Sequence, residues 1–162
     1  MYNQFLISKP SKISGSGTFT DINIPPNKPI IEIIGDIFLS ENIKNKDPGD
    51  YLQVSNKFFI GPSGSSYDFI NHSCDPNCYF AIVGKRAILY SLYLIKEGTE
   101  LTFDYSINST DDLENWKMSC SCNSYKCRKI ISGFKYLDAS LKEEYIRKGL
   151  VSMFITSPSY KG

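Results

Sequence analysis

The chain has 162 residues, 41% of them hydrophobic and 22% charged, with a formal net charge of +1. That is enough apolar chain for one domain with a real core, and too little net charge for a global field that would attract nucleic acid or a membrane surface. No run of about 18 apolar residues occurs, and Met1-Tyr2-Asn3-Gln4-Phe5 has neither the basic nor the apolar part of a secretory signal. With five cysteines, an odd number, the expectation is an intracellular protein of a reducing compartment, nucleus or cytoplasm, whose cysteines ligate metal or react rather than form a disulfide framework.

Residues 5–13 are short and apolar, and Gly15-Ser16-Gly17-Thr18-Phe19 follows. Glycines there would permit close backbone approach by a ligand, although Gly-x-Gly is also common in plain turns. Pro25-Pro26-Asn27-Lys28 reads as a turn, and Ile30-Ile31-Glu32-Ile33-Ile34 as a β-branched strand ended by Gly35-Asp36. Residues 40–50 are polar and read as a surface insertion. Phe58-Phe59-Ile60 is the next strand, residues 61–66 a loop, and residues 67–70 a single helical turn. Residues 78–83 and 86–91 flank Gly84-Lys85 as a hairpin, and residues 100–105 read as a last strand. Short strands separated by turns predict a mainly β core with short helices.

After residue 106 polarity rises, and then come Cys120, Cys122 and Cys127, a change of character that suggests a small metal-bound appendage. Beyond Gly133 the pattern turns helical. Ser140 and Glu143 have capping-box spacing, while Leu137, Leu141 and Tyr145 recur at four-residue intervals and predict a face packed on the domain.

The densest chemistry lies in Asn71-His72-Ser73-Cys74-Asp75-Pro76-Asn77-Cys78, which holds the only histidine and two of the five cysteines. Asp, Asn and Pro there dictate a compact turn. A tetrahedral zinc on Cys120, Cys122 and Cys127 needs a fourth ligand, for which Cys74, Cys78 and His72 are candidates. A metal shared that way would lock the tail onto the turn. One histidine excludes paired-histidine zinc hydrolases. His72 can also serve simply as a core group bonded to backbone, and a cysteine hydrolase using Cys78 is a minor alternative.

These motifs, in this order, resemble the SET-domain protein lysine methyltransferases that carry a cysteine-rich post-SET segment. The resemblance rests on residues 15–19, 32–36, 69–77 and 100–105 and on Cys120-x-Cys122-x-x-x-x-Cys127-Arg128, together about three quarters of the chain. It implies a β-clip-like fold of small curved sheets, with residues 71–72 and 103–105 meeting in a pseudoknot. The implied division is a SET domain over residues 1–109 with an insertion at about 40–66, a post-SET zinc segment over 110–133, and a C-terminal helical extension over 134–162.

The resemblance further implies an S-adenosylmethionine pocket at Ser16, Gly17, Asn71, His72 and Tyr105, with Ile130 or Ile131 covering the adenine. It selects Cys74 as the fourth zinc ligand with Cys120, Cys122 and Cys127, leaving Cys78 as a buried apolar residue. Tyr105 is then the tyrosine at the methyl-transfer point, Tyr51 a channel tyrosine, and Phe103 the position associated with methylation degree. Phe there leaves room for di- or trimethylation. The implied partner is a lysine-bearing protein or peptide, histone tails included, with no direct nucleic-acid or membrane contact. Two departures stand out: Ile33 where the family often has Tyr, and Asp68 where it often has Arg ahead of Phe-Ile-Asn-His. They motivate the alternative of a zinc-stabilised binding module with weak or no turnover.

Overall fold

A computed structural model describes residues 2–43, 48–110 and 116–157. Strands β1 (Leu6–Pro10) and β2 (Ser16–Thr20) pair antiparallel, Leu6 opposite Thr20 and Pro10 opposite Ser16. The expected glycine loop is therefore mostly strand, and only Gly15, at φ 45°, belongs to the connection. Gly17 sits so close to Glu100 that an added Cβ would collide with its carboxylate oxygen.

Next come β3 (Pro29–Ile33), β4 (Ile37–Leu39), β5 (Leu52–Gln53) and β6 (Phe58–Ile60), the last three forming a sheet in the order β4-β6-β5. Part of the expected insertion, residues 44–47, lies outside the described residues. Within residues 40–50, Glu41, Asn42, Gly49 and Asp50 are exposed and Ile43 is buried, and beyond them Val54, Phe59 and Ile60 join the core. A 3₁₀ turn over Ser66–Phe69 leads into β7 (Asn71–His72), followed by β8 (Cys78–Val83), β9 (Arg86–Ser91) and β10 (Thr102–Phe103).

The main sheet runs β3-β9-β8, and the β8–β9 hairpin closes with Val83 opposite Arg86 across Gly84 and Lys85. Gly84 takes φ 60°, the left-handed conformation that a two-residue hairpin loop requires. Along β9 burial alternates, with Ala87, Leu89 and Ser91 inward, as a strand with one core-facing side must. Ile24, Ile30, Leu89 and Leu101 are completely inaccessible in the cluster that this sheet organises. Each buried aliphatic side chain of that kind stabilises the fold by about 1.5–3 kcal/mol.

β7 and β10 pair in parallel, Asn71 opposite Thr102 and His72 opposite Phe103. The predicted strand over residues 100–105 is thus shorter: Glu100 belongs to no strand, and Tyr105–Asn108 is a 3₁₀ turn. The cause is local. The Asp104 carboxylate accepts from the Ser106 N–H at 3.0 Å, and this cap outcompetes further ladder pairing. Nor is it the last strand, since β11 (Lys117–Ser119) and β12 (Ile130–Ser132) pair antiparallel within the tail.

The C-terminal extension contains α1 (Ala139–Arg147) and α2 (Met153–Thr156). Its cap is Asp138, which accepts from Leu141 N at 2.9 Å, and not Ser140, whose hydroxyl donates to Asp138 instead. Leu137, Leu141 and Tyr145 do share a face, packed with Ile107, Phe134 and Leu150 in a second cluster. Among the described residues no helix is long and apolar enough to cross a membrane.

Candidate active site

The turn after β7 is held by its own side chains. The Asn77 amide donates to Glu100 O at 2.7 Å and accepts from Thr102 N at 2.8 Å, replacing strand hydrogen bonds and tying the turn to β10. This places Cys74 beside the tail. The Sγ atoms of Cys74, Cys120, Cys122 and Cys127 all lie within 4.8 Å of one another, with Cys74 and Cys120 at 3.7 Å. Zinc–sulfur bonds of ~2.3 Å in a tetrahedron separate sulfurs by roughly 3.8 Å, so the four thiols fit that ion. Cys78 is fully buried in β8 and burial pushes its thiol far up, so no reactive thiolate is available there for hydrolysis.

Burial pushes the Cys74 thiol up to about 11. Burial would also raise Cys122, but backbone donors and the thiols of Cys120 and Cys127 outweigh it and bring Cys122 down to about 7. Four sulfurs this close cannot all ionise by themselves, and a divalent cation among them would change that.

His72 links this cluster to Tyr105. Its Nδ1 accepts from Tyr105 N at 3.2 Å and its Nε2 lies 3.2 Å from Cys74 Sγ. Burial lowers its pKa to about 4, against a smaller opposing pull from Asp104, so the ring is neutral. With Nδ1 accepting, the proton sits on Nε2 and points at the sulfur, the outer-sphere arrangement that orients a metal-binding thiolate.

Asp104, wholly inaccessible, takes a two-pronged ion pair from Arg128 at 2.7 and 2.8 Å and a hydrogen bond from the Tyr145 hydroxyl at 2.9 Å. Although burial works against ionisation, Arg128 holds the carboxyl below its usual range. Asn71 donates from Nδ2 to Ser14 O, Ser16 O and Glu100 Oε1, so that amide ties the β1–β2 connection to β7.

Two cavities adjoin at Tyr105. One, about 100 Å³, has an aromatic wall of Tyr51, Phe59, Tyr67, Phe80, Phe103 and Trp116. The other, about 330 Å³, is lined by Gly15, Ser16, Asn71, His72, Ser119 and Ile131 among others. Tyr105 lines both, as do Gly49, Asp50 and Asp68. Its hydroxyl donates to Ile70 O at 3.0 Å, and burial together with the Glu100 charge raises its pKa, so the phenol stays neutral. The Phe103 ring lies 4.7 Å from that of Tyr105, and Tyr51 meets Phe38 edge-on at 5.4 Å.

Of the sequence-predicted pocket residues, Gly17 sits against Glu100 and does not line the second cavity, and Ile130 is 58% exposed, whereas Ile131 lines the cavity. Asp68, the departure noted above, holds the preceding loop by accepting from Ser63 N, Ser63 Oγ and Gly64 N. Ile33 is a core residue. Sequence reasoning missed Trp116, 6.4 Å from the Tyr105 ring, and the roles of Arg128 and Tyr145. A lone tryptophan shortly before the first tail cysteine was the available signal.

The small sheets, the parallel β7–β10 pair and the cysteine-rich tail beside Cys74 fit a SET domain, and the chain belongs to that family: the SET domain profile matches residues 15–106, more than half of it. The chain is 31% identical over 136 residues to histone-lysine N-methyltransferase trithorax of Drosophila virilis. It is 32% identical over 133 residues to histone-lysine N-methyltransferase set-2 of Caenorhabditis elegans. These alignments cover 75% and 73% of this chain but only 3% and 9% of the relatives, so the chain spans a small fraction of their length. Among solved structures, the crystal structure of KRYPTONITE in complex with mCHG DNA and SAH matches with a TM-score of 0.63 at 26% identity, over 77% of this chain and 28% of that one.

Proposed function

We propose that this SET domain transfers methyl groups from S-adenosylmethionine to the side-chain amine of a protein lysine, histone tails being the first substrates to test. The observation that carries the reading is the meeting of the two cavities at Tyr105. The larger cavity is of a size to take a nucleoside-type ligand, and its lining mixes backbone, amide and imidazole groups with the apolar Ile131. Similarity to the structure of KRYPTONITE in complex with SAH supports the same assignment. Ser16, Asn71, His72 and Ile131 would hold the donor there, which supplies an electrophilic methyl on a sulfonium. In the tail, Cys74, Cys120, Cys122 and Cys127 would hold a structural zinc.

The remaining work is alignment and exclusion of water. A lysine amine has an ordinary pKa of about 10.4, and the aromatic wall of Tyr51, Phe80, Phe103 and Trp116 favours its neutral, nucleophilic form. The lysine stem packs along those rings with its nitrogen directed at the Tyr105 end. The Ile70 carbonyl fixes the Tyr105 hydroxyl proton, so the hydroxyl oxygen keeps lone pairs for the reacting groups. Phe103 brings no hydroxyl to that end, which leaves apolar room for an amine already methylated and supports di- or trimethylation.

Incubation with radiolabelled methyl donor and histones or a mixed protein extract tests the reading. Label incorporation is expected, falling about a hundredfold in Tyr105→Phe. Donor binding without transfer to any protein would instead indicate a binding module.

A further inference from the structure

The 3₁₀ turn Tyr105–Asn108 carries the tyrosine on which both cavities converge, yet four residues supply almost no rigidity of their own. Its position is set from outside, and both of its ends are gripped by the C-terminal extension, which lies beyond the residues matched by the family profile. At the first end, Tyr145 of α1 donates its hydroxyl to Asp104, the capping residue of the turn. At the second end, the N–H of Ser152 donates to Ile107 O at 3.3 Å, and Asn108 Nδ2 donates to Ser152 Oγ at 2.8 Å.

We infer that the C-terminal extension is a working part of the active site, with Tyr145 and Ser152 acting as positioning residues that fix the turn bearing Tyr105. Packing alone does not account for Tyr145. Only 6% exposed, it would fill its place in the second cluster equally well as phenylalanine, and a buried hydroxyl is costly unless it has a partner. The partner it has is a fully inaccessible carboxylate one residue before Tyr105. Ser152 is likewise buried, at 4%, and it fixes the amide of Asn108, which lines the aromatic cavity. Among the described residues that grip leaves Asn108 Oδ1 without a hydrogen-bond partner, which packing alone does not account for.

The inference rests on methyl transfer at Tyr105, so the test has one kinetic arm and one that needs no turnover. In the first, Tyr145→Phe and Ser152→Ala each lower kcat about tenfold, while donor affinity and zinc content stay within about twofold of the parent. Ile146→Ala, on the exposed side of the same helix, leaves kcat unchanged. The Tyr145→Phe loss shrinks severalfold in a Tyr105→Phe background, where there is no hydroxyl left to misplace; general loosening would cost the same in both backgrounds. In the second arm, amide hydrogen exchange of residues 105–108 accelerates at least about tenfold in both variants, with β8 and β9 unaffected. Equal losses in both backgrounds, or unchanged exchange of the turn, would overturn the inference. If the parent transfers no methyl at all, the functional reading fails and the exchange arm still decides whether the extension clamps the turn.

Discussion

The two halves of the site are built by different means. The wall carrying Tyr51, Phe59, Phe80 and Phe103 belongs to small sheets held by apolar burial, with Ile30, Leu89 and Leu101 wholly out of contact with water. The wall facing it, with Trp116, Ser119 and Ile131, belongs to a tail whose two short strands bury little. Four thiols and one buried ion pair fasten that tail to the rest. The first half rests on apolar burial, whereas the second is tied down by polar contacts, among them the Arg128–Asp104 and Lys126–Asp75 pairs, and by the cysteine cluster.

The largest expected effect comes from removing the proposed zinc. Chelation should release residues 116–132 and cut methyl transfer by at least about a hundredfold, while hydrogen exchange of β3, β8 and β9 stays slow. Equal acceleration throughout the protein would show that the two halves do not differ as described.

Breaking the ion pair comes next. Arg128→Met leaves the Asp104 charge buried and unpaired, which costs about 3–5 kcal/mol, measurable as a lowered denaturant midpoint. Acid acts in the same direction. Because Arg128 holds the Asp104 carboxyl below its ordinary range, its contribution is complete above about pH 4 and is lost as pH falls further. Exchange in the tail should therefore rise with acid before exchange in the main sheet does.

Smaller effects are expected on the apolar half, where the frame survives and selectivity changes. Phe103→Tyr places a hydroxyl beside Tyr105 and should shift products towards monomethyl-lysine, visible by mass spectrometry; only monomethyl product from the parent would contradict the account of Phe103. The smallest change is Asp68→Ala, which frees the loop at Ser63 and Gly64. Because that carboxylate is exposed, the expected cost is below about 1 kcal/mol, with a rise of a few fold in KM for peptide.

How much of this the sequence carried follows the same division. Strand pairing was legible where period and turn chemistry agree, and the β8–β9 hairpin around Gly84 and Lys85 has the boundaries read from the residues. The cysteine triplet announced a metal-bound tail, but spacing alone left Cys74, Cys78 and His72 as equal candidates for the fourth ligand. Only the family resemblance singled out Cys74. What stayed hidden depends on how the tail folds back. Nothing local to Trp116, Tyr145 or Ser152 reports their distance from Tyr105. The misplaced helix cap shows the limit at short range: Asp138 and Ser140 both suit a cap, and the chain uses the one whose carboxylate reaches Leu141 N. Asp104 was read as strand because its capping of residues 105–108 depends on the side-chain orientation that Arg128 and Tyr145 impose.

The most direct test is a structure of the protein with S-adenosylhomocysteine and a lysine peptide. The nucleoside should lie against Ser16, Asn71, His72 and Ile131, and the lysine should run past Phe103 and Trp116 until its nitrogen is within hydrogen-bonding distance of the Tyr105 hydroxyl. A lysine bound elsewhere, or a Tyr105 hydroxyl out of reach of both ligands, would contradict it.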